Sequence, residues 1–445
     1  MKTPICDFVE NYTNKNCLRL HMPGHKGNAF LGCESGDITE ISGADSLYEA
    51  DGIIKMSEEN ASSLFGVPTF YSTEGSSHCL RAMMLLVKSY AENNGRSSLV
   101  WAARNAHKAF ISACTLNDLE TEWLYGKEEN SILSCKIDAK ELDEKLSSAK
   151  VKPVAVYVTS PDYLGNVIDV ESIAKVCHRH GVLLCVDSAH GAYMKFLTPS
   201  LHPSDLGADM VCTSAHKTLP VLTGGAYLHL SAGLPEFLLN KVKSALSFFG
   251  STSPSYLTLC SLDRANLYLA DGYREKLSAF SVKLRNLKKS LQNMGYTLLG
   301  DEELKITIDA KEYGYKGFEI SEYLEKYDII CEFADPDYVV LMFSADMDEE
   351  CIQKLEKAFL ALHKKPSLPK RKFHLPPPKK VMGVKEALLC ETEEISIEMS
   401  VGRVFAKDNI SCPPAIPIVV CGEEINSEAV EIMKYYNKKK CIVVK

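Results

Sequence analysis

Short apolar runs alternate with stretches of helical periodicity through the first 260 residues of the chain. Residues 170–180 have the spacing of a helix, with Asp169 as its N-cap and Gly181 just beyond its end. Continuous apolar runs predict buried strands at 153–159, 182–187, 209–213 and 225–230. Such alternation is typical of an α/β fold with a mostly parallel sheet that is covered by helices on both faces.

The same pattern divides the chain into five parts. A long charged helix is predicted at about 261–294, followed by short α/β elements, and a stretch rich in proline and lysine comes later. We therefore expect an N-terminal arm at 1–49, a large cofactor-binding domain at 50–260, a small α/β domain at 261–365, a linker at 366–380 and a C-terminal α/β module at 381–445.

Composition narrows the class of protein. The 445 residues are 46% hydrophobic and 24% charged with a net charge of −8, which indicates a soluble globular protein without a nucleic-acid partner. No apolar run is long enough to span a bilayer, and the N-terminus lacks an apolar signal core, so neither a membrane nor secretion is expected. The 16 cysteines are scattered without CxxC spacing, which predicts a reducing cytoplasmic location and no metal site.

Two strand ends carry the residues that suggest chemistry. Asp187 ends one buried strand, and Lys217 follows the next strand after a polar turn. The spacing accommodates one crossover between neighbouring strands. Pyridoxal phosphate needs a lysine that forms a Schiff base and a carboxylate that keeps its ring nitrogen protonated, so this pair predicts a pyridoxal phosphate site. Alone, the aspartate is better explained as a turn cap, and a lysine in a loop is usually a solvated charge.

Serine and glycine residues in two turns are candidates for the phosphate end of the cofactor. Gly75, Ser76 and Ser77 precede a predicted helix, whose N-terminus can bind an anion. Ser214 and His216 stand beside Lys217 and can donate hydrogen bonds to a phosphate. A turn of this kind before a helix is commonly only an N-cap. The phosphate-binding interpretation of the first group is therefore supported mainly by the presence of the second group.

His107 follows a further short strand. Its flat ring could stack on one face of the pyridine and leave the other face open. A partly buried histidine in a helix would be the more probable explanation if this segment stood alone.

Several motifs occur together in the order expected for one family. They are HMPGHKG (21–27), STEGSSHC (72–79), ARNAHKA (103–109), TSPDYLGNVIDV (159–170), VDSAHGA (186–192), SAHKTLP (214–220), STSPSY (251–256) and PPAIPIVVCGEEI (413–425). With these motifs the chain resembles the Orn/Lys/Arg decarboxylase family of pyridoxal phosphate enzymes of fold type I. It looks most like the short bacterial form, which lacks the N-terminal wing domain.

The resemblance implies a role for each candidate residue. Lys217 would be the Schiff-base lysine, Asp187 the partner of the pyridine nitrogen and His107 the stacking residue. Ser76, Ser77, Ser214 and His216 would lie at the phosphate end, with His190 near the cofactor. The family usually has asparagine where this chain has Glu74 and often has aspartate in place of Ala103. A carboxylate near a phosphate is unfavourable, so Glu74 is expected to point away or to be neutralised.

The implied reaction is α-decarboxylation of arginine, lysine or ornithine through an external aldimine and a quinonoid. Lys217 or His216 would return a proton to Cα. The resemblance also implies a homodimer or a higher homo-oligomer, with active sites at the subunit interface and STSPSY contributing across it.

Two alternatives remain open at this stage. An aminotransferase or β-eliminating lyase shares the lysine and the aspartate and usually adds an arginine that binds the substrate carboxylate, for which Arg403 is the one late candidate. A catalytically inactive regulator or polyamine-binding protein on the same fold is the second alternative, and intact Lys217 and Asp187 argue against it.

Overall fold

The N-terminal segment begins with a helix that packs on the body of the protein. The computed structural model describes residues 1–126, 132–370, 377–407, 410–412 and 416–445. Helix α1 spans Pro4–Asn14 and packs against α2, Ile53–Phe65, through the buried side chains of Ile5 and Val9. The sequence pattern did not predict α1, and the segment between the two helices contains no other α-helix and no strand.

A central sheet forms the large domain. Its strands among the described residues are β1 (Thr69–Ser72), β2 (Leu99–Ala103), β3 (Glu120–Leu124), β4 (Ala155–Thr159), β5 (Leu183–Asp187), β6 (Met210–Thr213) and β7 (Ala226–Leu230). They are arranged in the order β1-β7-β6-β5-β4-β2-β3. Strand β7 is antiparallel to both of its neighbours, and the other pairings within β2–β6 are parallel, which confirms the mostly parallel sheet.

Helices cover both faces of this sheet. They are α3 (Gly75–Asn93), α4 (Lys108–Leu116), α5 (Ala139–Ser148), α6 (Val170–Arg179), the single turn α7 (Ala215–Thr218), α8 (Glu236–Phe249) and α9 (Tyr256–Ala270). Alternate residues of β5 enter different cores: Cys185 packs with the core under α3 and α8, whereas Val186 packs with the core under α5 and α6. As predicted, Asp169 caps α6, and its carboxylate accepts a hydrogen bond from the Ser172 amide at 3.0 Å.

An antiparallel sheet characterises the small domain. Its elements are α10 (Tyr273–Asn293), β8 (Thr297–Leu299), β9 (Lys305–Asp309), α11 (Gly317–Glu325), β10 (Phe333–Ala334), β11 (Tyr338–Met342) and α12 (Glu349–Ala361), with strand order β10-β11-β9-β8. The single helix expected at 261–294 was wrong, because α9 and α10 are separate. Gly272 between them has φ +72°, a left-handed conformation that ends one helix before the next begins.

The C-terminal part lies against the large domain. It contains α13 (Val384–Leu389), β12 (Thr392–Ser396), β13 (Ile410–Cys412), β14 (Ile416–Val419), α14 (Ser427–Tyr435) and β15 (Lys440–Val444), with antiparallel pairs β12–β15 and β13–β14. The buried guanidinium of Arg104 donates to the carbonyls of Pro417 at 2.9 Å and Ile418 at 3.0 Å, which holds β14 beside the end of β2. Part of the predicted linker, 371–376, and the first residues of the motif at 413–425 lie outside the described residues.

A helix that spans a bilayer must be both long and apolar. No helix within the described ranges is both long enough and apolar enough to cross a membrane.

Candidate active site

Three parallel strands bring their carboxyl ends to one edge of the large sheet. The register places Thr159 of β4 beside Asp187 of β5, and Asp187 beside Cys212 of β6. A cavity of about 440 Å³ opens at this edge, where ligands of open α/β sheets bind. Its walls include every candidate residue from the sequence: Gly75, Ser76, Ser77, His107, Asp187, His190, Ser214, His216 and Lys217.

Asp187 is fixed at the floor of the cavity. Its carboxylate accepts hydrogen bonds from the Tyr157 hydroxyl at 3.0 Å and from the Ala189 amide at 3.2 Å, and the side chain is buried. The thiol of Cys212 lies 3.5 Å from the same carboxylate. These contacts hold an anion in one orientation, which suits a partner for a protonated ring nitrogen.

Lys217 lies on the short helix α7, where it reaches the cavity. Its Nζ is 3.2 Å from Nε2 of His190. Desolvation by the surrounding cavity walls lowers the pKa of Lys217, although the charges of Asp187 and Glu332 oppose this effect. The lowered pKa increases the fraction of neutral, nucleophilic amine near pH 7.

His216 has a fixed tautomer when it is neutral. Its Nδ1 lies 2.9 Å from the carbonyl of Gly225 and must donate to it, so Nε2 offers a lone pair. Desolvation lowers the pKa of His216 and favours that neutral form. Donation from this ring to a phosphate would need the imidazolium, which a bound anion would itself stabilise.

The phosphate candidates meet at the N-terminus of α3. Gly75 has φ +75°, and no atom lies within 4 Å of the position that a Cβ would occupy, so backbone and ligand can approach closely. The amides of Ser76 and Ser77 belong to the first helical turn, where they have no partner within the helix. Opposite them, the buried Oγ of Ser214 has no hydrogen-bond partner among the described residues, as expected of a group that binds a ligand.

His107 is the N-cap of α4 rather than a residue within a helix. Its Nδ1 accepts a hydrogen bond from the Ala109 amide at 3.1 Å, which fixes the ring at the wall of the cavity. Desolvation lowers the pKa of His107, so the ring is predominantly neutral at physiological pH.

Glu74 lines the cavity beside the phosphate candidates, and its carboxylate is bound by a backbone amide. One of its carboxylate oxygens accepts a hydrogen bond from the Ser251 amide at 2.6 Å. This contact directs the carboxylate toward the STSPSY segment.

Comparison with known proteins identifies the family. The sequence profile for the Orn/Lys/Arg decarboxylase major domain matches residues 3–300, and that for the Orn/Lys/Arg decarboxylase C-terminal domain matches residues 371–442. The chain belongs to the Orn/Lys/Arg decarboxylase family. It is therefore an amino-acid decarboxylase that depends on pyridoxal phosphate, and the resemblance stated from its motifs is confirmed.

Individual members of the family cover almost the whole chain. An arginine decarboxylase from Halalkalibacterium halodurans is 29% identical, over 98% of this chain and 94% of that protein. The uncharacterized protein YaaO from Bacillus subtilis is also 29% identical, over 97% of this chain and 93% of that protein. The Escherichia coli constitutive lysine decarboxylase has the same fold, with a TM-score of 0.79, 18% identity and coverage of 100% of this chain and 82% of the other.

The residues of this decarboxylase fit its cofactor. A buried hydroxyl without a partner, a helix N-terminus that starts at a glycine, a fixed carboxylate and a lysine amine all line one cavity. These are the groups that a phosphate, a pyridine nitrogen and an aldehyde require.

Arg403 does not line this cavity. Its guanidinium binds Glu393 at 2.7 Å and the carbonyl of Val444 at 2.6 Å within the C-terminal part. The arginine suggested for an aminotransferase is thus committed elsewhere, in agreement with the family.

Several residues of the cavity were not identified from the sequence, among them Glu332, Tyr163 and Asn105. Glu332 reaches it from the small domain, and Tyr163 lies in the turn after β4. Asn105, which precedes His107, has a buried Oδ1 without a partner among the described residues. Asn105 and Tyr163 belong to quoted motifs and could have been found by asking which neighbours share a strand end. No local signal marks Glu332.

Proposed function

We propose that this enzyme decarboxylates a basic amino acid, and the carboxylate of Glu332 carries the proposal. Glu332 lines the same cavity as Lys217, and its Oε1 accepts a hydrogen bond from the Tyr163 hydroxyl at 2.8 Å. A substrate whose amine reacts where Lys217 lies would place a distal cation near this anion. The pairing of opposite charges would favour arginine, lysine or ornithine over neutral amino acids.

Arginine is the first substrate to test. Relatives along almost the full length of the chain are named arginine decarboxylase, and a guanidinium can bind a carboxylate through two parallel hydrogen bonds. The product would then be agmatine and CO₂.

Different residues of the cavity would contact different parts of the cofactor. When bound, pyridoxal phosphate supplies an aldehyde that condenses with amines and a ring that takes up the electron pair left by CO₂. Asp187 would hold a proton on the ring nitrogen, and His107 would cover one face of the ring. Ser214 and the first turn of α3 would bind the phosphate.

Two residues could return the proton to Cα of the substrate. Lys217 lies in the cavity with a lowered pKa, and His216 presents the lone pair of Nε2, which can pick up a proton and pass it on. Ile416 of β14 adds an apolar wall, which would exclude water from the reacting carbon.

Glu332→Gln tests the proposed substrate class. We expect KM for arginine to rise by about ten- to a hundredfold while kcat changes less, because the variant loses a charged hydrogen bond that serves mainly binding. Steady-state kinetics with arginine, lysine and ornithine, read out as the amine formed, would measure this.

A carboxylate on the same domain provides the control. Glu325 on α11 is exposed and does not line the cavity, so Glu325→Gln should leave KM unchanged. Equal KM values for Glu332→Gln and the wild type would refute the assignment of Glu332.

We further propose that the active form is a homodimer or higher homo-oligomer in which the N-terminal arm covers a second copy. Residues 15–46 expose large apolar side chains, with Phe30 at 82% and Leu31 at 89% exposure, and Leu18, Leu20 and Met22 are also exposed. Such a surface is unusual for an isolated chain. The specific motif at 21–27 lies outside this chain's own cavity, as expected if it serves a neighbouring subunit.

The double substitution Phe30→Ser/Leu31→Ser should weaken assembly. We expect the dissociation constant to rise by about a hundredfold or more, since two buried apolar side chains would be lost from the interface. Analytical ultracentrifugation over a concentration series would measure it. The control, Leu116→Ser/Leu360→Ser, changes two exposed leucines elsewhere and should leave assembly unchanged. A monomeric wild type would contradict the proposal.

A further inference from the structure

A buried ion pair lies behind the cavity, beyond the residues that line it. Lys305 begins β9 in the small domain, and its Nζ is 2.6 Å from Oε2 of Glu302, with both side chains 1% exposed. A buried pair of this kind does not by itself indicate stability, because removing two charges from water is costly. The position of the Lys305–Glu302 pair behind the active site suggests a role in catalysis instead of stability.

The acceptors around Lys305 show its charge state. Besides Glu302, its Nζ lies 2.9 Å from Nδ1 of His190 and 3.3 Å from the carbonyl oxygen of Asp162. An ammonium can donate hydrogen bonds to Nδ1 of His190 and to the Asp162 carbonyl while its charge pairs with the carboxylate of Glu302. Desolvation raises the pKa of the Glu302 carboxyl and the charge of Lys305 opposes that rise, so a neutral Lys305 would remove the cation that favours the carboxylate. Lys305 is therefore the cation of the pair and donates to Nδ1 of His190.

This contact fixes the proton of His190. Desolvation places the pKa of His190 well below its ordinary value, so the ring is neutral and carries one proton. Because Nδ1 accepts from Lys305, that proton must be on Nε2. On the opposite side of the ring, Nε2 of His190 lies 3.2 Å from Nζ of Lys217. An N–H group on His190 can be satisfied there only by a lone pair on Lys217.

We propose that Lys305 and Glu302 are positioning residues that act through His190 to hold Lys217 as a neutral amine. The inference rests on the proposed function in one respect, the role of Lys217 as the reactive amine. A neutral amine has the lone pair that attacks an aldehyde, whereas an ammonium has none. Lys305, Glu302 and His190 would thus keep Lys217 in its nucleophilic, neutral form before the cofactor or the substrate binds.

The turn after β4 holds the pair in place. The carbonyl of Gly165 accepts hydrogen bonds from the amides of Asp301 at 2.8 Å and Glu302 at 2.9 Å. Gly165 has φ +84°, and a Cβ there would lie 3.2 Å from Cδ of Lys305 and 3.3 Å from Cβ of Glu302. This close approach gives the TSPDYLGNVIDV motif a function that its sequence did not suggest, namely docking the small domain so that Lys305 meets His190.

Other charges around Lys217 act in both directions. Those that favour its ammonium form are the carboxylates of Asp187 and Glu332, and the cation of Lys305 opposes it. The titratable groups that face the amine from the surrounding elements are His107, Asp187, His190, Cys212, His216 and Glu332. Desolvation is the largest influence and favours the neutral amine, and a donor to the lone pair of Lys217 would add to it against the two anions.

The test measures how fast apoenzyme reacts with added pyridoxal phosphate at different pH values. Condensation of the Lys217 amine with the aldehyde releases water and produces a visible absorbance band, and its rate follows the neutral fraction of Lys217. Lys305→Met frees Nδ1 of His190, so Nε2 can accept from an ammonium. We expect the midpoint of the pH profile to rise by about one unit, which makes the reaction about tenfold slower near pH 7.

Two control variants distinguish this mechanism from a nonspecific disruption of the structure. Lys305→Arg keeps a cationic donor beside His190 and should restore the wild-type midpoint. Lys288→Met removes a nearby lysine that contacts the carbonyls of Glu302 and Glu303 but lies outside the cavity, and it should leave the midpoint unchanged. A wild-type midpoint in folded Lys305→Met would overturn the proposal. Amine production does not enter this readout, so failure of the proposed function leaves the test intact.

A second measurement needs no change at the ion pair. Protein labelled with ¹⁵N-histidine would be studied by solid-state NMR, with the His190 signal assigned by its loss in His190→Gln. The expected result is a neutral ring with its proton on Nε2. A proton on Nδ1, or an imidazolium, would overturn the proposal even if Lys305→Met failed to fold.

Discussion

Lys217→Ala is expected to abolish amine formation, with a fall in kcat/KM of at least about 10³-fold, because this side chain is the proposed nucleophile and one of the two proposed proton carriers. The visible absorbance band that forms with pyridoxal phosphate should also disappear, since no other lysine lines the described part of the cavity. Absorbance spectra and steady-state kinetics of the purified variant would measure both effects.

Lys195→Ala is the matched control for this substitution. Lys195 forms an ion pair with Asp205 outside the cavity, so its loss should leave the band and the rate per folded molecule unchanged. A persistent band in Lys217→Ala would show that the cofactor is attached elsewhere.

Asp187→Asn should be the second most damaging change, with kcat about 10²- to 10³-fold lower, because a fixed anion at the floor of the cavity is replaced by a neutral amide. The shape of the side chain is retained, and the Tyr157 hydroxyl and the Ala189 amide remain nearby to hold it. The loss should therefore appear mainly in kcat rather than in folding. Kinetics at saturating substrate, combined with thermal unfolding, would distinguish the two.

The same substitution at the opposite edge of the sheet provides the comparison. Asp209 precedes β6, where its carboxylate binds the Leu184 amide at 2.7 Å and His178 at 3.0 Å. Asp209→Asn should lower thermal stability and leave kcat unchanged. Similar kcat values for Asp187→Asn and the wild type would show that Asp187 has no catalytic role.

Much of the fold could be predicted from local patterns. The apolar runs marked five of the seven strands described for the large sheet, and the polar residues after them marked the edge that carries the cavity; β1 and β3 were not predicted. The reversed direction of β7 could not be predicted, because a buried antiparallel strand and a buried parallel one have the same apolar pattern. The break at Gly272 was missed because a single glycine is tolerated within a helix and only its left-handed conformation shows the end.

Part of the site that the sequence did not predict comes from the small domain. Glu332 and Lys305 are far along the chain from Lys217, and neither follows a strand in a recognisable motif. Their positions depend on how the loop before β9 docks against Gly165, which is a tertiary contact with no local signal. The residues proposed to select the substrate or to hold Lys217 neutral were thus harder to predict than those proposed to bind the cofactor.

The most direct test of the central claim is the stoichiometry of CO₂ and amine. The enzyme with pyridoxal phosphate would be given carboxyl-labelled arginine, lysine or ornithine in separate reactions, and labelled CO₂ and the organic product would be counted together. We predict one CO₂ for each molecule of agmatine, cadaverine or putrescine, with one substrate clearly preferred and no turnover by Lys217→Ala. A keto acid without CO₂, or no reaction with any of the three by cofactor-loaded enzyme, would contradict the account.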